Sequence, residues 1–186
     1  MEHETMENQN PSYWTSVLIG GLIVGFITTI MSLGSQYMTI GSEPTGSSIN
    51  LTQIIGILSC LVGAIGGVIA TRHYAKEFDI TFPIGKGALI GFLAGVVAVA
   101  FSSVIGVIWT YLIDPDLNQA FYDWQIANLE AQNMTDDQME MAMGFIPKPG
   151  STSALIWTVG IGLVVMGALN AISGLIGAKI FASEED

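Results

Sequence analysis

Four long runs without a charged side chain constrain what this chain can fold into. They lie between Glu7 and Glu43, Glu43 and Arg72, Lys86 and Asp114, and Lys148 and Lys179. A helix rises about 1.5 Å per residue, so roughly 20 residues cross a hydrocarbon core of about 30 Å. Each run is longer than that. Trimming the polar ends predicts helices over residues 13–38, 51–72, 84–113 and 153–181. Buried helices of a soluble protein are the competing reading, and four apolar stretches of this length in 186 residues weigh against it.

Composition agrees. Charged residues make up 11% of the chain against about 25% in soluble domains, and 51% of residues are apolar. The net charge of −11 argues against a nucleic-acid partner, because five basic residues could not neutralise a run of phosphates. The expected fold is an all-α membrane protein: a four-transmembrane-helix bundle with a short helical extracytoplasmic loop between spans three and four. Residues 1–186 are read as one integral membrane domain, with the lipid bilayer as its first partner.

Local signals punctuate the spans. Gly41 to Ser48 is turn-rich, and Asn50 with Gln53 has capping-box spacing. Pro83 suits the first turn of the third span, and Pro147-Lys148-Pro149-Gly150 bars helix continuation before the fourth. Tyr13, Trp14, Tyr37, Tyr74, Trp109, Tyr111 and Trp157 form an aromatic belt near the helix ends. Arg72, Lys76, Lys86 and Lys179 fall on one side and Lys148 alone on the other, which predicts cytoplasmic N- and C-termini in an inner membrane. The acidic N-terminal stretch is unlike a cleavable signal, and the single Cys60 cannot form an internal disulfide.

Residues 114–152 form the one long connection. Asp114 before Pro115 reads as an N-cap, and Leu117, Phe121, Trp124 and Ala131 then fall close to one helical face. Thr135 and Gln138 have the spacing of a second capping box, so two short amphipathic helices are expected, joined near residues 132–134. Seven acids and one lysine make this loop a poor ligand for anionic lipid, so it is expected to lie over the bundle or against a partner. Met134, Met139, Met141 and Met143 raise the idea of Cu(I), but Met141 points away from the face of Met139 and Met143. Methionine as packing is preferred.

Small residues recur along the spans at helical spacing: Gly21 and Gly25, then Ser59, Gly63 and Gly67, then Gly87, Gly91 and Gly95, then Gly160, Gly167 and Gly174. Such rows let backbones approach where lipid removes the hydrophobic drive for association. They serve either the bundle itself or another subunit. Gly21 to Phe26 also parallels Gly87 to Phe92, a hint of a parallel repeat relating two helix pairs. No ionisable residue falls in the middle of a span, which points away from proton relays and ion coupling. Asn170 is the deepest polar residue and is read as an interhelical hydrogen bonder. No catalytic, cofactor or metal site is assigned.

The order of a Gly-rich first span, Thr81-Phe82-Pro83-Ile84-Gly85-Lys86, the run Asp116 to Trp124 and the run Asn133 to Glu140 resembles a known group. It is similar to the small four-span bacterial membrane proteins grouped as domain of unknown function 4199, found mainly in the Bacteroidota, from about Trp14 to Phe181. The chain departs in charge, ending Ser183-Glu184-Glu185-Asp186 where several members carry a basic tail. The resemblance implies a fold and no activity. The functional expectation is a non-catalytic helix bundle, not an enzyme, that binds membrane partners or itself. The alternative is a small transporter or channel built from two parallel helix pairs.

Overall fold

The computed structural model describes residues 11–182. Its elements are α1 (Trp14–Ile40), α2 (Leu51–Gly63), α3 (Ile65–Phe78), α4 (Ile84–Ile108), α5 (Leu117–Glu130), α6 (Asp136–Gly144) and α7 (Thr152–Phe181). A π-helical turn, Trp109–Ile113, extends α4. The described residues contain no strand. Four helical units are long and apolar enough to cross a membrane: Trp14–Ile40, Leu51–Phe78, Ile84–Ile113 and Leu155–Phe181. Residues 41–50 and 114–151 lie at one end of the bundle, the loop end. The opposite end, with the 79–83 turn, is the base.

Local chemistry sets most boundaries. At the start of α2, Asn50 Oδ1 accepts from the Gln53 N–H at 3.2 Å, and Gln53 Oε1 accepts from the Asn50 N–H at 2.7 Å. Thr135 and Gln138 make the same reciprocal pair before α6. Pro83 precedes the third span as its extended N-cap residue (φ −65°, ψ 147°), one position earlier than expected. The second span runs past Arg72 to Phe78, leaving the apolar region before Asp79 ends it in the left-handed conformation at φ 47°.

One expected boundary is corrected. Asp114 does not cap a helix beginning at Pro115; α5 starts at Leu117, and Asp116 stands before it without a side-chain cap. The Asp114 carboxylate is engaged elsewhere, accepting from the Tyr37 hydroxyl at 2.7 Å. That hydroxyl in turn accepts from Trp109 Nε1 at 2.9 Å. The chain reaches this geometry through the π turn, closed by Asp114 N–H to Trp109 O at 2.8 Å.

The spans pack in the cyclic order one, two, four, three, with spans two and three also touching. A two-fold axis along the bundle would make the contact of spans one and four equivalent to that of spans two and three. Spans one and four do not pack together, so the arrangement lacks the symmetry that the Gly21–Phe26 and Gly87–Phe92 likeness hinted at.

Glycine makes the seams. Along α4 and α7, which run antiparallel, a Cβ at Gly87 would strike the Gly174 carbonyl and the Ala178 methyl. One at Gly91 would strike the Asn170 carbonyl, and one at Gly95 the Met166 carbonyl at 2.5 Å. Gly174 faces the Gly87 carbonyl. Between the parallel α3 and α7, Gly67 lies under the Asn170 carbonyl. Just before α3, Gly63 lies under the Met166 thioether. Gly21 and Gly25 admit Ala94 and Ala98 of α4 in the same manner. Backbones brought this close gain dispersion and weak polar contacts that lipid cannot supply.

Two expected packing residues behave differently. Gly167 meets the side of the Phe92 ring and no backbone. Gly160 has open space around it.

Packing is uneven along the bundle. The buried cluster of Val17, Ala70, Tyr74, Ala75, Phe82, Ile90, Ala94, Ala178 and Ala182 sits toward the base. Toward the loop end, α2 buries only Gly63, and no residue from Leu155 to Met166 is buried.

Gly91→Ala is expected to lower the free energy of unfolding in mild detergent by about 1–3 kcal/mol, the usual cost of overpacking. Gly160→Ala should change it by less than about 0.5 kcal/mol. Equal effects would mean that the α4–α7 seam does not set the stability of the bundle.

Candidate functional site

The second span breaks at Ala64, and the fourth span supplies the reason. In a continuous helix the Gly67 N–H would donate to the Gly63 carbonyl. Here both groups go to one side chain. Asn170 Oδ1 accepts from the Gly67 N–H at 2.7 Å, and Asn170 Nδ2 donates to the Gly63 carbonyl at 3.0 Å. Nδ2 also meets the Met166 carbonyl of its own helix at 2.9 Å. A primary amide carries two donors and an acceptor in the geometry of a peptide group, so it can stand inside a helix ladder. A side chain inserted into the ladder is one of the few causes of an interrupted helix, here confined to Ala64. Glycine is needed at the junction, since a Cβ at Gly66 would press on Asn170 Oδ1.

Packing differs on the two sides of the break. Below it, α3 lies close against α7; above it, α2 packs on α1 and has few contacts with α7. The space left open is a groove of about 470 Å³ lined by Gly56, Ile57, Cys60, Leu61, Ala64 and Leu169, with Gln53 at its mouth. Ala64 is the break itself and Leu169 is next to Asn170. The groove therefore runs from Gln53 to the junction, open on the side of the exposed Ile57 and Leu61.

A second chamber of about 190 Å³, of mixed polar and apolar lining, sits at the loop end. Ser47, Ser48, Asn50 and Gln53 line it from one side and Trp124, Gln125, Asn128, Leu129 and Gln132 from the other, with Ile146 completing the wall. Gln53 belongs to both spaces. This chamber is built by α5 docking on the 41–50 connection. Trp124 Nε1 donates to the Ser42 carbonyl at 2.8 Å. Asn128 Oδ1 accepts from the Gly46 N–H at 3.0 Å, and its Nδ2 donates to the Ser47 carbonyl at 3.2 Å. Gly46 sits at φ +71°, and a side chain there would meet the Ala131 carbonyl.

Of the expected outer-loop face, Leu117 and Trp124 are buried and Phe121 half-buried, whereas Ala131 lies past the end of α5 and is exposed; Asn128 is the residue that sequence reasoning missed. The signal was available: a polar residue four positions after Trp124 continues an apolar stripe.

Of the four loop methionines, Met134 and Met139 are half-buried, as packing residues would be, whereas Met141 and Met143 are exposed. Among the described residues, no three of His, Cys, Asp and Glu gather as a metal site would require.

At the base, the Thr-Phe-x-x-Gly-Lys stretch ties elements together. Lys86 Nζ donates to the Tyr74 hydroxyl at 2.8 Å and lies 4.8 Å from the centre of that ring. The fully buried Tyr74 donates to the Pro11 carbonyl at 2.7 Å. The Phe82 N–H reaches the Ala182 carbonyl at 3.0 Å, joining the turn to the end of the fourth span. His73, expected at the boundary, pairs with Ser16 across the first two spans at 2.9 Å.

Residues 19–182 match a family model whose description is a protein of unknown function, DUF4199. No curated protein and no solved structure matches the chain.

Asn170→Leu is expected to cost about 1–2 kcal/mol of stability, because two interhelical hydrogen bonds are lost while the Gly63–Gly67 ladder bond can re-form. Chemical unfolding in mixed micelles measures this, and an unchanged midpoint would contradict the account. Asn128→Leu should open the 41–50 connection to added protease roughly fivefold, the effect of about 1 kcal/mol, without altering helix content.

Proposed function

The chain belongs to the DUF4199 family of proteins of unknown function, and from that premise we propose a non-catalytic, membrane-embedded bundle that binds a membrane protein partner or a second copy of itself. The observation that carries this reading is the unevenness of the packing. The base half is closed by glycine seams, whereas the fourth span from Leu155 to Met166 contains no buried residue. A helix that crosses a membrane inside a bundle ordinarily has neighbours on one face throughout. Ile156, Gly160, Val164 and Ala168 form a continuous exposed row at four-residue spacing. Gly160 has no role within the chain, and its small size has a use if another helix approaches there.

The positions of Arg72, Lys76, Lys86 and Lys179 at the base favour a cytoplasmic base and an extracytoplasmic loop end, in an inner membrane. The transporter alternative draws less support, because the helices close on one another around Asn170 where a polar path would have to run.

Gly160→Leu is the direct test. Placed in open space, the new side chain should leave folding intact. It should reduce recovery of a cross-linked dimer or hetero-complex from native membranes by about tenfold or more, as expected when a close helix contact is blocked. Recovery of wild type and variant alike as a monomer, without a reproducible partner, would defeat the proposal.

A further inference from the structure

The apolar groove and the partly polar chamber at the loop end share Gln53, so an apolar run along α2 leads to a cluster of hydrogen-bonding side chains. We propose that they form one binding site for a lipid of the loop-end leaflet whose head group is uncharged and rich in hydroxyls, such as a glycosyl diacylglycerol. The chain length follows from geometry. Gln53 to Ala64 is eleven residues, or about 16 Å of helix, close to half of the roughly 30 Å hydrocarbon core. A hydrocarbon chain entering beside Gln53 reaches the Asn170 junction at the depth where one leaflet ends.

The groove wall suits such a chain. Gly56 and Ala64 leave a shallow channel along α2, and Leu169 bounds it on α7. No atom lies within 4 Å of where a Cβ on Gly56 would be. The combined volume falls in the range of small-molecule sites, roughly 300–1,000 Å³.

The head group follows from the chamber. No Lys, Arg, Asp or Glu lines either space. A phosphate head group would call for Arg or Lys, and an ammonium for a carboxylate. Instead the chamber offers amides and serine hydroxyls beside apolar walls from Trp124, Leu129 and Ile146. The side chains of Ser48, Gln125 and Gln132 make no hydrogen bond to other described residues, and their donors and acceptors are mixed, as a polyol requires. This site is separate from the exposed Gly160 row. Gly160 and Leu169 are nine residues apart, which places them on opposite faces of α7.

The test uses the full chain in a detergent without a sugar head. Native mass spectrometry is run against a glucosyl diacylglycerol, a phosphatidylglycerol with the same acyl chains, and glucose alone. The expected result is retention of the glucosyl lipid about tenfold more tightly than phosphatidylglycerol, the value of one or two neutral hydrogen bonds, with no saturable binding of glucose. Gly56→Trp should abolish retention of both lipids, and Gln125→Leu with Gln132→Leu should bring the two lipids to parity. On the unmodified protein, a glucosyl lipid carrying a diazirine in its chain should label residues 53–64 and 169. Equal retention of both lipids by wild type, saturable binding of free glucose, or labelling spread over all four spans would each overturn the proposal. Gly160→Leu should bind the lipid normally, so failure here and failure of partner binding are read separately.

Discussion

The amide of Asn170 occupies the place of a peptide bond's partner inside another helix, and the shape of the bundle follows from that substitution. It bridges the Gly63 carbonyl and the Gly67 N–H, which a regular helix would join directly. Backbone groups in hydrocarbon must be satisfied internally, so a helix can break at this depth only if something else meets its donors and acceptors. Asn170 does so with one side chain. The second span is thereby interrupted: α3 packs on the first, third and fourth spans, whereas α2 packs mainly on the first. The apolar groove lies where α2 and α7 are not in close contact.

The glycine seams and the junction depend on each other. The Asn170 carbonyl is the atom against which both Gly67 and Gly91 close, so three spans meet at one residue. Any side chain at those glycines would push the fourth span away and draw the amide out of the ladder. Lipid is as apolar as leucine, so tight contact of backbones, and not removal of apolar surface from water, is what holds these helices. The loop-end half, which lacks such contacts within the chain, is where both proposed binding surfaces lie.

The two ends of the molecule are held by different means. At the loop end, α5 is fastened to the 41–50 connection by side-chain-to-backbone hydrogen bonds from Trp124 and Asn128. Tyr37 links Trp109 and Asp114 beside it. At the base, cations rest on aromatic rings, Lys86 on Tyr74 and Arg72 at 5.8 Å from the centre of Phe181. The stretch Thr81 to Lys86, one of the parts that carry the family resemblance, thereby ties the second, third and fourth spans together.

Much of this was readable from the residues alone. Charge spacing determined the four spans to within a few residues except at the end of the second, which runs six residues past Arg72, because a charge in hydrocarbon is costly wherever the chain folds. Both capping boxes were legible because their hydrogen bonds close over three residues. Asn170 was identifiable as the deep polar group, but its partners were not, since they are backbone atoms that every residue carries. Asp114 was misread as a cap because its true partner, Tyr37, lies 77 positions away. Gly160, Gly167 and Gly174 share one spacing, yet tertiary structure gives them open space, a ring and a backbone carbonyl in turn. Sequence by itself determined how many helices cross, where they start and which residues are small. Tertiary structure decided which small residues are contacts, and it decided the break at Ala64, because both rest on where one helix presents its carbonyls and amides to another.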